Sequence, residues 1–74
     1  MKKNLYFQHS DGHYTLLLEG CCELEAWGKA EEFMKDHNYK CYYVRSWADP
    51  NGNLHWDVGS HTEFFIFGFI DING

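Results

Sequence analysis

The side chains best suited to chemistry cluster in the last third of this sequence. They are two imidazoles and two carboxylates, spaced along a short segment: His55, Asp57, His61 and Glu63. On a strand, His55 and Asp57 project from the same face, and a turn at Gly59-Ser60 would bring the other two back toward them. Such a set suits zinc or another first-row divalent ion.

The same four residues also have a purely structural interpretation. Their spacing matches none of the compact zinc signatures, and no cysteine pair accompanies them. His and Asp are ordinary residues on the polar side of a hairpin, where the hydroxyls of Ser60 and Thr62 can bond the turn backbone. We favour this interpretation and expect no cofactor.

A second candidate is an aromatic and cationic strip on one strand face. Tyr43, Arg45 and Trp47 alternate there, and such a strip can stack a base while arginine pairs with a phosphate. A turn containing Ser60, His61 and Thr62 could add backbone N–H groups and hydroxyls for the anion. The strip therefore fits a small nucleotide-like ligand.

The alternative for this strip is structural. In that case the two aromatic residues belong to the core, and Arg45 forms an ion pair with Asp57 or Glu63 across the sheet. We favour this alternative.

Nothing in the chain predicts an enzyme. Asp57, Ser60 and His61 contain the residue types of a catalytic triad, but a triad is defined by geometry, and no nucleophile elbow is present. Cys21 and Cys22 are adjacent at a helix start, where a thiolate is favoured. We interpret them as small buried packing residues, with redox or metal use as the alternative.

Composition restricts the class of protein. The 74 residues carry 6 basic and 11 acidic side chains, for a net charge of -5. That balance argues against general nucleic-acid binding, which needs a basic surface, and would suit a basic partner. The chain shows no secretory signal and has three cysteines, an odd number, so we expect a cytoplasmic protein. It has no span of about 20 apolar residues, so we expect no membrane contact. Its length predicts one domain, 1–74.

Periodicity predicts the elements that position these residues. Alternation predicts strands over 3–8, 13–19, 40–47, 54–58 and 62–70, the last being an apolar strand buried on both faces. Spacings of three and four residues from Cys22 to Asn38 predict one helix. Its apolar stripe contains Leu24, Trp27, Ala30, Phe33, Met34 and His37. The order β-β-α-β-β-β predicts an α+β fold, a two-layer sandwich with one helix on an antiparallel sheet.

One helix can cover only one face of that sheet. The other face would carry some of the following apolar residues: Tyr42, Val44, Phe64, Ile66 and Ile70. Exposed apolar patches of this size usually mark an interface. We therefore expect a homodimer or a higher oligomer, the alternative being cover by the tail, the loops and bulky Tyr rings. We also expect Gly28, which weakens the helix by about 1 kcal/mol, to permit close packing on the sheet.

The segment from Tyr42 to Phe65 has the pattern Y-x-V-R-S-W-x-D-x-x-G-x-x-x-W-D-V-G-S-H-T-E-F-F. It resembles small uncharacterised accessory proteins of bacteriophages and their hosts. The resemblance implies a host-takeover or anti-defence factor, which acts by occupying a host protein surface or by sequestering a small signalling nucleotide. We therefore expect a non-catalytic binding protein. The alternatives are an oligomeric sponge for a small or cyclic nucleotide and a small divalent-metal-binding protein.

Overall fold

The computed structural model describes residues 2–59 and 62–70. In chain order the elements are β1 (Lys3–Gln8), β2 (Tyr14–Cys21), α1 (Glu23–Asp36), β3 (Arg45–Ala48), β4 (Leu54–Asp57) and β5 (Phe64–Gly68). The strands form one antiparallel sheet in the order β2-β1-β5-β4-β3. This confirms the predicted α+β fold and its β-β-α-β-β-β order. Among these elements no helix is long and apolar enough to cross a bilayer.

The apolar strand β5 is a central strand, and β1 pairs with it. Phe65 and Phe67 of β5 belong to the core cluster on the helix side, while Ile66 is buried outside that cluster. Because successive side chains point to opposite faces, the predicted strand buried on both faces is confirmed. It is shorter than predicted, ending at Gly68 instead of Ile70.

An asparagine amide ends β5. The Asn53 Oδ1 accepts a hydrogen bond from the Phe69 N–H at 3.0 Å, and its Nδ2 donates to the Phe69 carbonyl at 3.4 Å. These bonds use the backbone groups with which the strand would continue. Gly68 lies directly against this amide, so that a Cβ there would lie 2.0 Å from Asn53 Oδ1.

The helix has well-defined ends. The Glu25 carboxylate accepts a hydrogen bond from the Cys22 N–H at 3.0 Å, which satisfies a donor before the first turn. Burial raises the pKa of the preceding Cys21 thiol, which lies in the core. At the other end, Asn38 adopts a φ of 55°, as expected of a left-handed stop.

The predicted apolar stripe is wrong at two positions, Leu24 and His37, both of which are exposed. The buried line of the helix is Ala26, Ala30 and Met34, while the Leu24 side chain is 81% exposed. At 100° per residue Leu24 lies about 120° around the helix from Ala30, which is outside the face that contacts the sheet. Gly28 is also exposed, and a Cβ there would meet nothing within 4 Å. The expectation that Gly28 permits close packing is therefore wrong.

The helix is displaced toward one side of the sheet. Its backbone lies over β2, β1 and β5. The other half of that face, formed by β4 and β3, is reached from the helix by the side chain of Trp27. This offset leaves an apolar depression beside the helix.

The third strand is much shorter than the predicted 40–47. It begins at Arg45, and the residues from Lys40 to Val44 lie outside regular structure. The neighbouring strand β4 ends at Asp57, and Gly59 then bends the chain with a φ of 113°. Because the chain beside them bends after β4, residues 40–44 have no straight strand with which to continue the hydrogen-bonded ladder of β3.

The face without a helix is better covered than expected. Ile66 is 0% exposed and Tyr6 is also buried. In the register of the sheet Ile66 pairs with His55, and His55 pairs with Trp47. Large rings thus flank Ile66 on this face, so Ile66 does not belong to the expected apolar patch. Phe64 and Ile70 are half-buried, while Tyr42 and Val44 are exposed.

Candidate functional site

The offset of the helix creates a groove of about 320 Å³ between its first turns and the β3–β4 half of the sheet. We call it the two-tryptophan groove, and its lining residues are Glu23, Leu24, Trp27, Val44, Ser46 and Trp56. Most of this lining is apolar. Sequence reasoning missed the groove because it depends on where the helix crosses the sheet.

The floor of the groove is made of packed aromatic rings. The indoles of Trp27 and Trp56 meet edge to face, with centroids 5.4 Å apart and an interplanar angle of 88°. Trp56 also lies parallel to Phe67, with centroids 6.2 Å apart and an angle of 4°. Because Trp56 is buried and held from two sides, the floor is preformed.

The rim combines exposed apolar side chains with a carboxylate. Leu24 stands on the helix side and Val44 on the β3 side, and both are exposed. Glu23 begins the helix next to Leu24. The sequence signal that could have revealed the rim is the angular offset of Leu24 from the buried helix line.

The predicted aromatic and cationic strip is present in part. The Arg45 Nη2 donates to the Asp57 Oδ2 at 2.8 Å, and the guanidinium lies 5.4 Å from the centre of the Tyr43 ring. The Arg45 side chain is 65% exposed, whereas that of Asp57 is 2% exposed. The hydrogen bond from Arg45 holds the pKa of Asp57 below its ordinary value. The structural interpretation of Arg45 as the partner of Asp57 is therefore confirmed.

The aromatic members of the strip are not core residues, contrary to that interpretation. Trp47 is 42% exposed and Tyr43 is also exposed. The Trp47 indole stacks on the His55 imidazole, with centroids 5.4 Å apart and an angle of 7°, and touches Phe64 edge to face. Trp47 lies on β3, an edge strand, and among the described residues no strand beyond β3 buries its indole. Thr62 is exposed, while Ser60 and His61 lie outside the described residues.

The proposed metal ligands have separate partners where they are described. His55 Nε2 lies 2.9 Å from Asp49 Oδ2, while Asp57 binds Arg45 and accepts from the Gly59 N–H at 3.0 Å. Within residues 2–59 and 62–70 no three such side chains converge on a possible metal position. Of the other two predicted ligands, His61 lies outside those ranges.

Glu63, the remaining predicted ligand, lies near the end of the helix. Its carboxylate accepts a hydrogen bond from the Tyr39 hydroxyl. Burial, together with this contact, raises the pKa of Tyr39 to about 12. Tyr39 also lines a more polar hollow of about 500 Å³, whose other walls are His37, Asn38, Lys40, Tyr42, Val58 and Gly59.

The cysteines divide into one packing residue and two exposed ones. Cys21 is buried in the core, whereas Cys22 and Cys41 are exposed, and all are free thiols. The packing interpretation thus holds for Cys21 and is wrong for Cys22. Cys22 is exposed because it stands at the cap of the helix.

Compared with models of protein families, with curated proteins and with solved structures, the chain matches none. The resemblance to bacteriophage accessory proteins receives no support from these comparisons. The indications of function therefore come from the groove and the strip themselves.

Proposed function

We propose that this chain is a non-catalytic protein-binding module and that the two-tryptophan groove is its binding site. The observation that carries the proposal is the pair Trp27–Trp56, which forms a rigid apolar floor open to solvent between Leu24 and Val44. Preformed aromatic pockets of this kind hold the anchor residues that dominate protein–protein affinity.

The size of the groove indicates what it holds. Sites for drug-sized ligands and cofactors occupy about 300–1,000 Å³ and enclose most of the ligand. At about 320 Å³ and open along one side, this groove fits one large apolar side chain better than a whole cofactor. The partner therefore presents a Leu, Met, Phe or Trp on an exposed segment.

Charge indicates what surrounds that anchor. The chain has a net charge of -5, and Glu23 lies at the rim of the groove. Complementary charge speeds encounter and rejects acidic competitors. We infer a basic partner segment, with Lys or Arg flanking the apolar anchor; the phage resemblance would place that partner in a bacterial host.

A selection from a displayed random-peptide library tests this proposal. The bait is the intact chain, and the matched control is Val44→Lys, which places a cation at the rim without touching the buried floor. We expect enrichment of peptides that combine a large apolar residue with Lys or Arg and that bind Val44→Lys at least about tenfold more weakly, equivalent to about 1.4 kcal/mol. Equal recovery by both baits would refute the proposal.

A second candidate function rests on Trp47. Its indole is held flat against His55 and remains 42% exposed, which is the arrangement of a stacking platform for a base. Arg45 stands two residues away on the same strand, although its charge is already balanced by Asp57. This favours a ligand that has a base and few phosphate charges, in keeping with a sponge for a small or cyclic nucleotide.

A thermal-shift screen with mono-, di- and cyclic nucleotides separates the two candidates. A ligand at 100 times its Kd stabilises the folded chain by about 2.7 kcal/mol. A shift that disappears in Trp47→Ala and persists in Val44→Lys would support the platform. The absence of a shift with every nucleotide would eliminate it.

A further inference from the structure

The two edges of the sheet differ in regularity. At the β2 edge, the pairing with β1 shifts register on both sides of Leu5. At the β3 edge, the register with β4 runs without a shift from Arg45↔Asp57 to Ala48↔Leu54. A regular edge can accept another strand, whereas bulges obstruct one. The β3 edge is therefore the open side of the sheet.

The hydrogen-bonding pattern between β3 and β4 determines which residues of β3 direct their backbone groups toward the open edge. The Asp49 N–H donates to the Asn53 carbonyl at 2.9 Å, and bonded pairs alternate with non-bonded pairs along an antiparallel ladder. Arg45 and Trp47 therefore direct their N–H and C=O groups toward β4. Ser46 and Ala48 direct theirs toward the open edge.

The sequence along this edge is complementary to itself. From Arg45 to Asp49 it reads Arg-Ser-Trp-Ala-Asp, with a cation at one end, an anion at the other and an indole in the centre. In an antiparallel pair of two copies centred on Trp47, Ser46 of each copy exchanges backbone bonds with Ala48 of the other. Arg45 then lies opposite Asp49 of the second copy, and the two Trp47 rings face each other.

We propose that two copies of this chain associate through β3 in this register, forming a continuous sheet. The two-fold axis is perpendicular to the sheet, as isologous antiparallel pairing requires. Both helices consequently lie on the same side, and the two-tryptophan grooves adjoin across the axis. This inference does not rest on the proposed function, but it would give a partner two neighbouring anchor sites.

The charges and rings favour this register over its neighbours. A shift of two residues in one direction places Trp47 opposite Arg45, and in the other direction opposite Asp49; both lose the Arg–Asp pairs. Opposite charges and aromatic pairs directly across antiparallel strands are stabilising. Arg45 and Asp49 already have partners in their own chain, Asp57 and His55, so the Trp47 rings carry more of this preference than the charges. The edge is short, so the interface lies at the small end of the known range, where weak and transient complexes are found.

Light scattering across a concentration series from about 10 µM to about 1 mM tests the association at the strength expected of a small interface. The variants are Ser46→Pro, which removes an outward N–H that β4 does not use, and Ser46→Ala as its matched control. We expect the mass of the wild type and of Ser46→Ala to double, while Ser46→Pro stays monomeric. A monomeric wild type, or a folded Ser46→Pro that still dimerises, overturns the proposal.

A cross-link tests the register even if Ser46→Pro does not fold. In a background without the native cysteines, Trp47→Cys places its two Cα atoms about 4.5 Å apart across the axis, within disulfide range. The control, Thr15→Cys, lies exposed on the opposite edge strand. We expect dimeric disulfide to form faster in Trp47→Cys; equal rates contradict the register.

Discussion

Trp27 of the helix and Trp56 of β4 meet edge to face at 5.4 Å, although the helix backbone lies over the other half of the sheet. Trp27 thus reaches sideways to cover part of β4, and the space beyond it remains open as a groove. Aromatic pairs of this geometry contribute about 0.5–1.5 kcal/mol beyond the apolar area that they bury. The same contact therefore stabilises the fold and builds the proposed binding floor.

Substitutions in the rim of the groove should leave the stability of the fold nearly unchanged, whereas a substitution in its floor should lower it. Leu24→Ser and Val44→Ser change exposed side chains, so we expect the free energy of unfolding to change by no more than about 0.5 kcal/mol. Trp56→Ala removes a buried ring and should cost about 3–5 kcal/mol. Urea unfolding followed by circular dichroism measures all three. A large loss of stability in the rim variants would show that these residues pack inside the fold instead of bordering a groove.

Replacing Gly28 should stabilise the protein. It lies within the helix, is exposed, and a Cβ would meet nothing within 4 Å. We expect Gly28→Ala to raise the free energy of unfolding by about 0.5–1 kcal/mol. Gly20→Ala is the control, since Gly20 has equal space but a φ of 64°, and it should destabilise. Equal effects in chemical denaturation would contradict this reasoning.

The contact between Gly68 and Asn53 predicts strong coupling. A Cβ at residue 68 would lie 2.0 Å from Asn53 Oδ1, so Gly68→Ala must displace the amide that ends β5. We expect Gly68→Ala and Asn53→Ala each to destabilise the fold, and the double variant to lose less than the sum of the two. A double-mutant cycle measures the difference, and additive losses would mean that the residues act independently.

The pair Arg45–Asp57 makes stability depend on pH. Because the pKa of Asp57 is lowered in the folded state, the unfolded chain binds this proton more readily. The contribution is therefore present above the ordinary carboxyl pKa near about 4 and is lost as the pH falls through the lower folded value.

The measurement is the urea midpoint at about pH 6 and at about pH 3, on either side of that pKa. Between the higher and the lower pH, the urea midpoint of Asp57→Asn should fall less than that of the wild type. The comparison variant is Asp36→Asn, at an exposed helix position, which should retain the wild-type fall. An unchanged fall in Asp57→Asn would contradict the assignment.

The parts of the fold that depend on local periodicity could be predicted from the sequence. Alternation located β1, β4 and β5, and three- and four-residue spacing located the helix. The position of the helix across the sheet could not be predicted, because it depends on which small residues, Ala26 and Ala30, face the strands. That choice determines the exposure of Leu24 and hence the groove.

The cover over Ile66 could not be predicted from the sequence for a related reason. A strand pattern shows that a residue faces away from the helix, but it does not show what covers that face. Here the pairing of Ile66 with His55 and of His55 with Trp47 places large rings around it. Covering by cross-strand neighbours depends on strand order, and this order is a property of the whole sheet.

The indole N–H signals of the three tryptophans, in a ¹H–¹⁵N spectrum, provide the most direct test of the account. The tryptophans mark two different surfaces: Trp27 and Trp56 mark the groove, and Trp47 marks the stacking platform and the β3 edge. On titration with a selected basic peptide at constant protein concentration, we predict that the signals of Trp27 and Trp56 move together while that of Trp47 stays in place. A response confined to Trp47, or no response at all, would contradict the claim that the groove is the binding site.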